Sequence, residues 1–278
     1  MLSINTNVGA LKAAQASYSV NKSMETSMQR LSTGKRINSS HDDAAGQQIA
    51  SRLTAEIQGL KMSIRNAADG QAMLGTAEGA LNEVTNILLR LREMAVQSAN
   101  DTNGTADRAG LQSEADALEL EIQRISDNTT WGGLGLLDGT WSGTAVDFEI
   151  HVGPDASQNI GHSIPAMAVT AATIAMSAAD VMTSVTTASS YITAMDNALS
   201  AVNTEREQIG AVMNRLDYTI ANLDNVVTNL QVSKGRIEDA DFAAETSNLA
   251  RVQVLQQASM AMLAQANASK QNILSLFQ

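Results

Sequence analysis

Residues 209–230 read IGAVMNRLDYTIANLDNVVTNL, and their apolar side chains recur at alternating steps of three and four residues. An α-helix has about 3.6 residues per turn, so this spacing places one apolar stripe along one side of a helix. A period close to 3.5 residues also lets two helices pack side by side. The stripe predicts a long helix packed against other helices, and it consists of Ile209, Met213, Leu216, Ile220, Leu223, Val227 and Leu230.

The same repeat occurs in three other segments, which indicates a chain made mainly of helices. Residues 100–110, NDTNGTADRAG, are rich in turn-forming residues, so the helices on either side are expected to run in opposite directions. The predicted fold is mainly α: a long antiparallel helical rod or coiled coil with paired N- and C-terminal helices and one small β-hairpin region. The three further stripes are Ile49, Leu53, Ile57, Leu60 and Ile64; Leu74, Ala77, Leu81, Val84, Leu88, Leu91 and Ala95; and Leu111, Ala115, Leu118, Ile122 and Ile125.

The hairpin region is predicted from residues 131–165. This window holds both prolines, both tryptophans and 7 of the 18 glycines (132, 133, 135, 139, 143, 153 and 161). Within it VDFEIHV, 146–152, alternates apolar and polar residues as a half-buried strand does. Residues 166–188 are predicted to be an exposed connecting segment, with the next helix beginning near Ser189.

Composition excludes several classes of function. The formal net charge of −11 argues against a nucleic-acid partner. The absence of cysteine excludes disulfides and thiol chemistry. No apolar run approaches the roughly 20 residues that span a bilayer, so membrane insertion is not expected. The first twenty residues lack the pattern of a signal peptide, which predicts a cytoplasmic protein or export without a cleaved signal.

Residues 39–50, SSHDDAAGQQIA, combine a histidine and two aspartates and therefore raise the question of a metal or catalytic site. The other two histidines, His151 and His162, are far away in sequence, and the ligand set of a zinc site is missing. Carboxylates before an apolar helical pattern are typical of helix capping, so Asp42 and Asp43 are expected to cap the following helix. Residues 237–241 lack the glycine and the final glutamate of a calcium-binding loop. No nucleophile, phosphate-loop or dinucleotide motif is present, so neither a cofactor nor enzymatic activity is predicted.

The two ends of the chain share a weakly amphipathic pattern rich in Ala, Gln, Ser and Asn. Neither apolar stripe is wide enough to stabilise an isolated helix, so each end would gain from a partner. Pairing of the two ends, followed by packing with further copies of the chain, is the arrangement we expect. The residues that mark these stripes are Val8, Leu11, Tyr18, Met28 and Leu31 at one end and Leu249, Val252, Leu255, Met262, Ile273 and Leu276 at the other.

Long stretches at both ends resemble the bacterial flagellins, the subunits of the flagellar filament. The resemblance covers roughly 130 N-terminal and 75 C-terminal residues. It is carried by RLSTGKRINSSHDDAAGQQIASRL (30–53), DGQAMLGTAEGALNEV (69–84), SKGRIEDADFAAETSNLAR (233–251) and VLQQASMAMLAQANASKQNILSLF (254–277).

This resemblance implies a layout and a function. Residues 1–40 and 245–278 would form an inner terminal coiled-coil domain, residues 41–130 and 189–244 a helical rod, and 131–165 its hairpin. Only about 60 residues separate the two halves, so the chain resembles a minimal flagellin without large outer domains. The implied function is a structural subunit that polymerises into the filament and so provides the propeller for swimming. The alternatives are a hook–filament junction protein, a secreted enzyme on a flagellin frame and a membrane-active helical protein.

The resemblance also implies partners and an extracellular location in the filament. The partners are further copies of the chain, the flagellar export apparatus, an export chaperone that binds the C-terminal segment, and the filament cap and hook-junction proteins. Contacts with a Toll-like innate receptor would fall on Arg90, Met94 and Glu114. At the junction between the terminal helices and the rod, Arg36 is expected to form an ion pair with Asp239 or Asp241.

Overall fold

The computed structural model of this 278-residue chain describes residues 6–139, 145–168 and 182–274, without the side chains of residue 145 and of residues 270–274. Most of these residues are helical, which confirms the mainly α prediction. The helices are α1 (Val8–Thr33), α2 (Ala44–Ser98), α3 (Thr105–Asn128), α4 (Val185–Glu238) and α5 (Phe242–Leu274); the strands are β1 (Thr130–Trp131), β2 (Leu134–Gly135), β3 (Ala145–His151) and β4 (Asn159–Pro165).

The chain folds into two compact units. The first, which we call the terminal unit, combines residues 1–57 with residues 228–278, and the second, the central unit, comprises residues 58–227. The long helices α2 and α4 each contribute residues to both units.

The core of the central unit follows the apolar repeat of α2. Every residue of the predicted stripe from Leu74 to Ala95 is fully buried. The stripe of α4 continues upstream of Ile209 through Val202, Ala198 and Met195, which are buried as well. Two long helices thus supply most of the apolar side chains that stabilise this unit.

Ion pairs show the direction of α2 relative to α4. Arg206 Nη2 lies 2.8 Å from Glu78 Oε1, and Arg92 Nε lies 2.6 Å from Asp196 Oδ1. Partner numbers on α4 fall as those on α2 rise, so the two helices are antiparallel. Because these pairs are half-exposed, each adds little to stability, and they serve here as markers of register.

The structure confirms the predicted turn between α2 and α3. The turn covers residues 99–104, so it is shorter than the predicted residues 100–110. Helix α2 ends at Ser98 and α3 begins at Thr105. Arg108 Nε donates to the carbonyl oxygen of Ser98 (3.0 Å), and Arg90 Nη2 lies 2.8 Å from Glu114 Oε1. These two contacts make α3 antiparallel to α2.

The β region contains two hairpins. Strands β1 and β2 pair antiparallel, and so do β3 and β4, with Phe148 opposite His162. The predicted strand at 146–152 is observed one residue earlier. Ile150 packs directly on α2 at Gly70, where a Cβ atom would collide with the isoleucine side chain. The Ser63 hydroxyl donates to the Gly153 carbonyl oxygen (3.0 Å) and fixes the hairpin to the same helix.

The connecting segment differs from its prediction at both described ends. Met167 and Met182 are fully buried in the core of the central unit, whereas Thr183, Thr186 and Thr187 are exposed, so the described ends are only partly exposed. Helix α4 begins at Val185, four residues before the predicted start. Residues 169–181 of this segment lie outside the described residues.

Two core positions of the repeat are occupied by glutamates. Glu205 lies between Val202 and Ile209 on the buried stripe of α4, and its Oε1 atom is 2.8 Å from His162 Nε2 on β4. Glu119 lies on the buried face of α3, and Tyr191 donates its hydroxyl to Glu119 Oε1 at 2.6 Å. Buried polar groups need such partners, because an unpaired one costs free energy.

The Tyr191–Glu119 pair predicts an alkaline loss of stability. Burial raises the pKa of the Tyr191 phenol above its ordinary value, and the hydrogen bond to Glu119 adds to the shift. The folded state therefore favours the protonated phenol. This contribution is complete below pH 10, where the phenol of the unfolded chain begins to ionise, and it is lost as pH rises further. We expect the free energy of unfolding of the wild type to fall above pH 10 by up to about 1.4 kcal/mol per pH unit more steeply than that of Tyr191→Phe.

The measurement is urea unfolding followed by tryptophan fluorescence from pH 8 to 11.5. Tyr191→Phe loses a buried hydrogen bond, so its stability at pH 8 is expected to be lower by about 1–3 kcal/mol. The two proteins share their other titratable groups, so the difference between their slopes of unfolding free energy against pH isolates the contribution of Tyr191. Parallel curves for the two proteins would contradict the prediction.

Candidate assembly surface

Helices α1 and α5 of the terminal unit lie side by side and antiparallel. Asn7 Nδ2 donates to the carbonyl oxygen of Ala266 (3.1 Å) at one end of the pair, and Gln256 Nε2 donates to Asn21 Oδ1 (2.8 Å) near its middle. Asn7 also caps α1, because its Oδ1 atom accepts from the backbone N–H of Ala10. The pairing of the two ends, expected from their weak amphipathic patterns, is present within the single chain.

Small and polar side chains form much of the contact between α1 and α5. The covered positions recur every three or four residues, as in a coiled coil. On α1 three of the six covered residues are alanine or serine and the other three are valine, methionine and leucine; on α5 four of the seven are glutamate, glutamine, serine and alanine and the other three are leucine and valine. On α1 the positions are 13, 17, 20, 24, 27 and 31, and on α5 they are 245, 249, 252, 256, 259, 263 and 266.

Large apolar side chains of the same two helices are exposed. Leu11 and Tyr18, seven residues apart, lie on the side of α1 opposite to its contact with α5. We call the whole set the terminal apolar surface; it consists of Val8, Leu11, Tyr18, Met28, Phe242, Val254, Leu255, Met260 and Met262. These side chains lie on more than one side of the helix pair, and each would be removed from water if neighbouring copies packed around the pair.

The residues predicted for subunit packing divide into three groups. Val8, Leu11, Tyr18, Met28, Leu255 and Met262 belong to the terminal apolar surface. Leu31, Leu249 and Val252 are half-buried in the contact between α1 and α5. The side chain of Ile273 and residue Leu276 lie outside the described residues. Sequence reasoning missed Phe242, Val254 and Met260, because they fall outside the single apolar stripe that was followed along the C-terminal segment.

The junction after α1 is organised by Gly34, whose φ of 70° ends the helix in the left-handed conformation that glycine adopts readily. The chain then pairs with the end of α4: Ala240 N–H donates to the Gly34 carbonyl oxygen (2.9 Å). Lys35 Nζ lies 2.5 Å from Glu238 Oε1. The hydrogen bond from Lys35 holds the pKa of Glu238 below its ordinary value.

The expected ion pair of Arg36 is a different contact in the structure. Arg36 Nη2 donates to the Ile237 carbonyl oxygen (2.8 Å), and among the described ion pairs neither Asp239 nor Asp241 is its partner. The residue next to it, Lys35, makes the ion pair at this level. Asp241 instead caps α5 by accepting from the backbone N–H groups of the second and third residues after it.

Of the two carboxylates in SSHDDAAGQQIA, only Asp43 contacts the start of α2. Its Oδ1 atom accepts from Gly46 N–H (2.9 Å). Asp42 Oδ2 accepts from the backbone N–H groups of Asn38 and Ser39, both at 3.0 Å, and these bonds lower the pKa of Asp42. The expectation that both aspartates cap α2 is therefore corrected for Asp42, which stabilises the turn before the helix.

The described part of the chain contains neither a metal-binding cluster nor a membrane-spanning helix. Among residues 6–139, 145–168 and 182–274, no group of three His, Cys, Asp or Glu side chains is placed to hold a metal ion. Within the same ranges, no helix combines the length and hydropathy needed to cross a bilayer.

The three residues expected to contact an innate receptor have different environments. Arg90 and Glu114 form an ion pair on the exposed sides of α2 and α3. Met94 is fully buried in the core of the central unit. A residue without exposed surface cannot touch a receptor, so Met94 is corrected from a contact residue to a core residue.

Comparison with known proteins identifies the family. The family model for the bacterial flagellin N-terminal helical region matches residues 4–142, half of the chain, and the model for the C-terminal helical region matches residues 192–277. The chain belongs to the bacterial flagellin family. The two matched regions contain α1, α2, α3 and α5 and most of α4.

Curated relatives of this flagellin are longer than the chain. B-type flagellin of Pseudomonas aeruginosa is 46% identical over 170 residues, which are 61% of this chain and 34% of that relative. Polar flagellin F of Vibrio parahaemolyticus is 46% identical over 159 residues, which are 54% of this chain and 42% of that relative. The flagellin therefore spans less than half the length of these relatives.

A solved structure supports the fold. A flagellar hook-associated protein from Vibrio parahaemolyticus superposes with a TM-score of 0.59 at 16% identity, covering 71% of this flagellin and all of that chain. At this identity the likeness concerns the fold alone. It does not favour a hook-junction function over a filament function.

Proposed function

We propose that this flagellin is a structural subunit of the bacterial flagellar filament, a helical homopolymer that acts as the propeller for swimming. The observation that carries the proposal is the terminal apolar surface. The central unit buries the apolar repeat of α2 within the chain. On α1 and α5, nine large apolar side chains among the described residues are exposed. Burying one such side chain stabilises an assembly by roughly 1.5–3 kcal/mol, so neighbouring copies of the chain would gain much from covering this surface.

In this proposal residues 1–40 and 245–278 form the inner domain of the filament, and residues 41–130 and 189–244 form the rod around it. Residues 131–165 contribute the hairpins of the rod, and residues 166–184 connect them to α4. Charge is compatible with packing between copies, because residues 1–70 carry 8 basic and 5 acidic residues whereas the remainder carries 10 and 24. Opposite charges on successive copies would favour association.

The proposal includes the route to the filament. The subunit leaves the cell through the flagellar export apparatus, bound beforehand at its C-terminal segment by an export chaperone, and folds at the tip beneath the filament cap. The contact between α1 and α5 supports this, because seven of its thirteen covered positions are small or polar, so the isolated pair buries few large apolar side chains. Of the innate-receptor site, only the exposed Arg90–Glu114 pair is retained as a proposed contact.

The test is seeded polymerisation of the purified full-length chain. Wild-type monomer is expected to elongate filament fragments. Leu11→Asp is expected to raise the critical concentration for elongation at least about tenfold, because assembly would bury an unpaired carboxylate. The matched control is Leu120→Asp, which places the same charge at an exposed leucine of α3 and should elongate like the wild type.

Circular dichroism should show equal helix content in the three proteins, since both leucines are exposed in the single chain. Normal elongation by Leu11→Asp would contradict the role of the terminal apolar surface. Failure of the wild type to elongate any seed, combined with binding to hook ends, would favour the hook–filament junction alternative.

A further inference from the structure

The methionines of this chain are distributed unevenly between core and surface. Four of the described methionine side chains have about half or more of their surface exposed: Met28 (55%), Met62 (51%), Met260 (58%) and Met262 (65%). Three of these four belong to α1 and α5, and Met62 lies on α2 in the central unit. By contrast, the core of the central unit contains the buried Met73, Met94, Met167, Met182 and Met195.

The exposed sulfur atoms flank the contact between the terminal helices. Met260 and Met262 are two residues apart on α5, so their side chains point about 200° apart around the helix axis. Ser259 immediately precedes Met260 and Leu263 immediately follows Met262, and both belong to the covered stripe that faces α1. The two methionines therefore lie on opposite flanks of that stripe, and Met28 occupies a flank of the corresponding stripe on α1. A neighbour that covered either flank of the pair would bury a thioether.

We infer that oxidation of the three exposed methionines of α1 and α5, Met28, Met260 and Met262, controls assembly of the monomer. The inference rests on the proposed filament function and extends it to redox regulation. Hydrogen peroxide is the oxidant: the thioether sulfur attacks one peroxide oxygen, an S–O bond forms and the O–O bond breaks, and the departing hydroxide takes the proton of the new S–OH group and leaves as water. Sulfur is oxidised by two electrons and the peroxide is reduced by two. The product, methionine sulfoxide, is polar where the thioether was apolar.

The position of these residues determines what oxidation changes. In the monomer the sulfoxide oxygen remains in water, so the fold of the chain is not penalised. In an assembled polymer the same oxygen would be buried without an assigned donor, which is unfavourable. Oxidation is therefore expected to act on assembly and to leave the central unit folded. Burial in the polymer would conversely shield the sulfur atoms, so subunits would be sensitive before assembly and protected after it.

The experiment treats full-length monomer with hydrogen peroxide, removes the peroxide, and measures the critical concentration for seeded elongation. The quantity compared is the ratio of the oxidised to the unoxidised value for each protein. We expect a ratio of at least about ten for the wild type. Met62→Leu should show the same ratio as the wild type. The triple variant that combines Met28→Leu, Met260→Leu and Met262→Leu should have a ratio near one.

Mass spectrometry of the same samples gives an independent readout. Met28, Met260 and Met262 should oxidise in the monomer at least about tenfold faster than the buried Met94 and Met195, and they should be protected in filaments. A wild-type ratio near one, loss of the effect in Met62→Leu, or equal oxidation in monomer and filament would each overturn the inference alone. Failure of the unoxidised wild type to elongate would overturn the proposed function and this inference together.

Discussion

Deletion of residues 250–278 is expected to abolish seeded elongation and to leave the central unit folded. The deletion removes four residues of the terminal apolar surface, Val254, Leu255, Met260 and Met262. With roughly 1.5 kcal/mol or more from each side chain buried on assembly, their loss predicts a rise in critical concentration of more than about a thousandfold. It also removes Gln256 and Ala266, the partners of α1, and a helix in a protein owes most of its stability to the packing of its amphipathic face.

Two spectroscopic signals separate the effects of this deletion. Both tryptophans, Trp131 and Trp141, lie within residues 58–227. Their fluorescence in a urea titration therefore reports the central unit, and its midpoint should not move. Far-ultraviolet circular dichroism should lose more helix than the deleted residues account for, because α1 no longer has a partner. Elongation by the shortened chain at wild-type concentrations would contradict the proposed assembly surface.

The apolar repeat carried most of the information about the fold. The stripe from Leu74 to Ala95 was predicted residue by residue, and all of it is buried, because a period near 3.5 leaves little choice of face on a long helix. On α3 the fully buried face is Gln112, Ala115, Glu119, Ile122 and Ser126, whereas the predicted Leu111, Leu118 and Ile125 are only half-buried. The predicted Ala115 and Ile122 are fully buried, and the other three leucine and isoleucine residues pack against the core, so the predicted stripe is largely right. Hydrophobicity alone left out the polar members of the buried face, because their partners are distant in sequence.

Those polar partners are distant in sequence, which is why the sequence did not reveal them. Glu119 is paired with Tyr191, 72 residues away, and Glu205 with His162, 43 residues away. The sequence offers His162 as a metal ligand without the rest of a ligand set, and in the structure its partner is a glutamate at a core position of α4. The pairing depends on where the β3–β4 hairpin packs, and no local pattern determines that position.

The junction shows a similar limit at shorter range. The sequence correctly brought the segment after α1 close to the end of α4, but it assigned the ion pair to Arg36. The backbone pairing of Lys35 with Asp239 places Lys35 beside Glu238 and Arg36 beside a carbonyl oxygen. A shift of one residue along an extended segment reverses the direction of each side chain. Because the sequence does not give the register of this backbone pairing, opposite charges alone do not determine whether Lys35 or Arg36 forms the ion pair.

Leu88→Ala is expected to lower the free energy of unfolding of the central unit by about 3–5 kcal/mol, because Leu88 is fully buried and the missing atoms would leave a cavity among long, closely packed helices. The next residue provides a matched control: Leu89 is on the same helix and 47% exposed. Leu89→Ala makes the same chemical change at a solvated position, so it should cost less than about 1 kcal/mol.

Urea unfolding followed by tryptophan fluorescence measures the stability of both variants. For Leu88→Ala the urea midpoint should fall, and the slope of the unfolding free energy against urea concentration should equal that of the wild type. If assembly depends on the terminal unit, seeded elongation of Leu88→Ala should persist at temperatures where its central unit remains folded. The two substitutions would then distinguish the residues that maintain the rod from those that join one copy to the next. Equal destabilisation by both would mean that the buried repeat of α2 is not what stabilises the central unit.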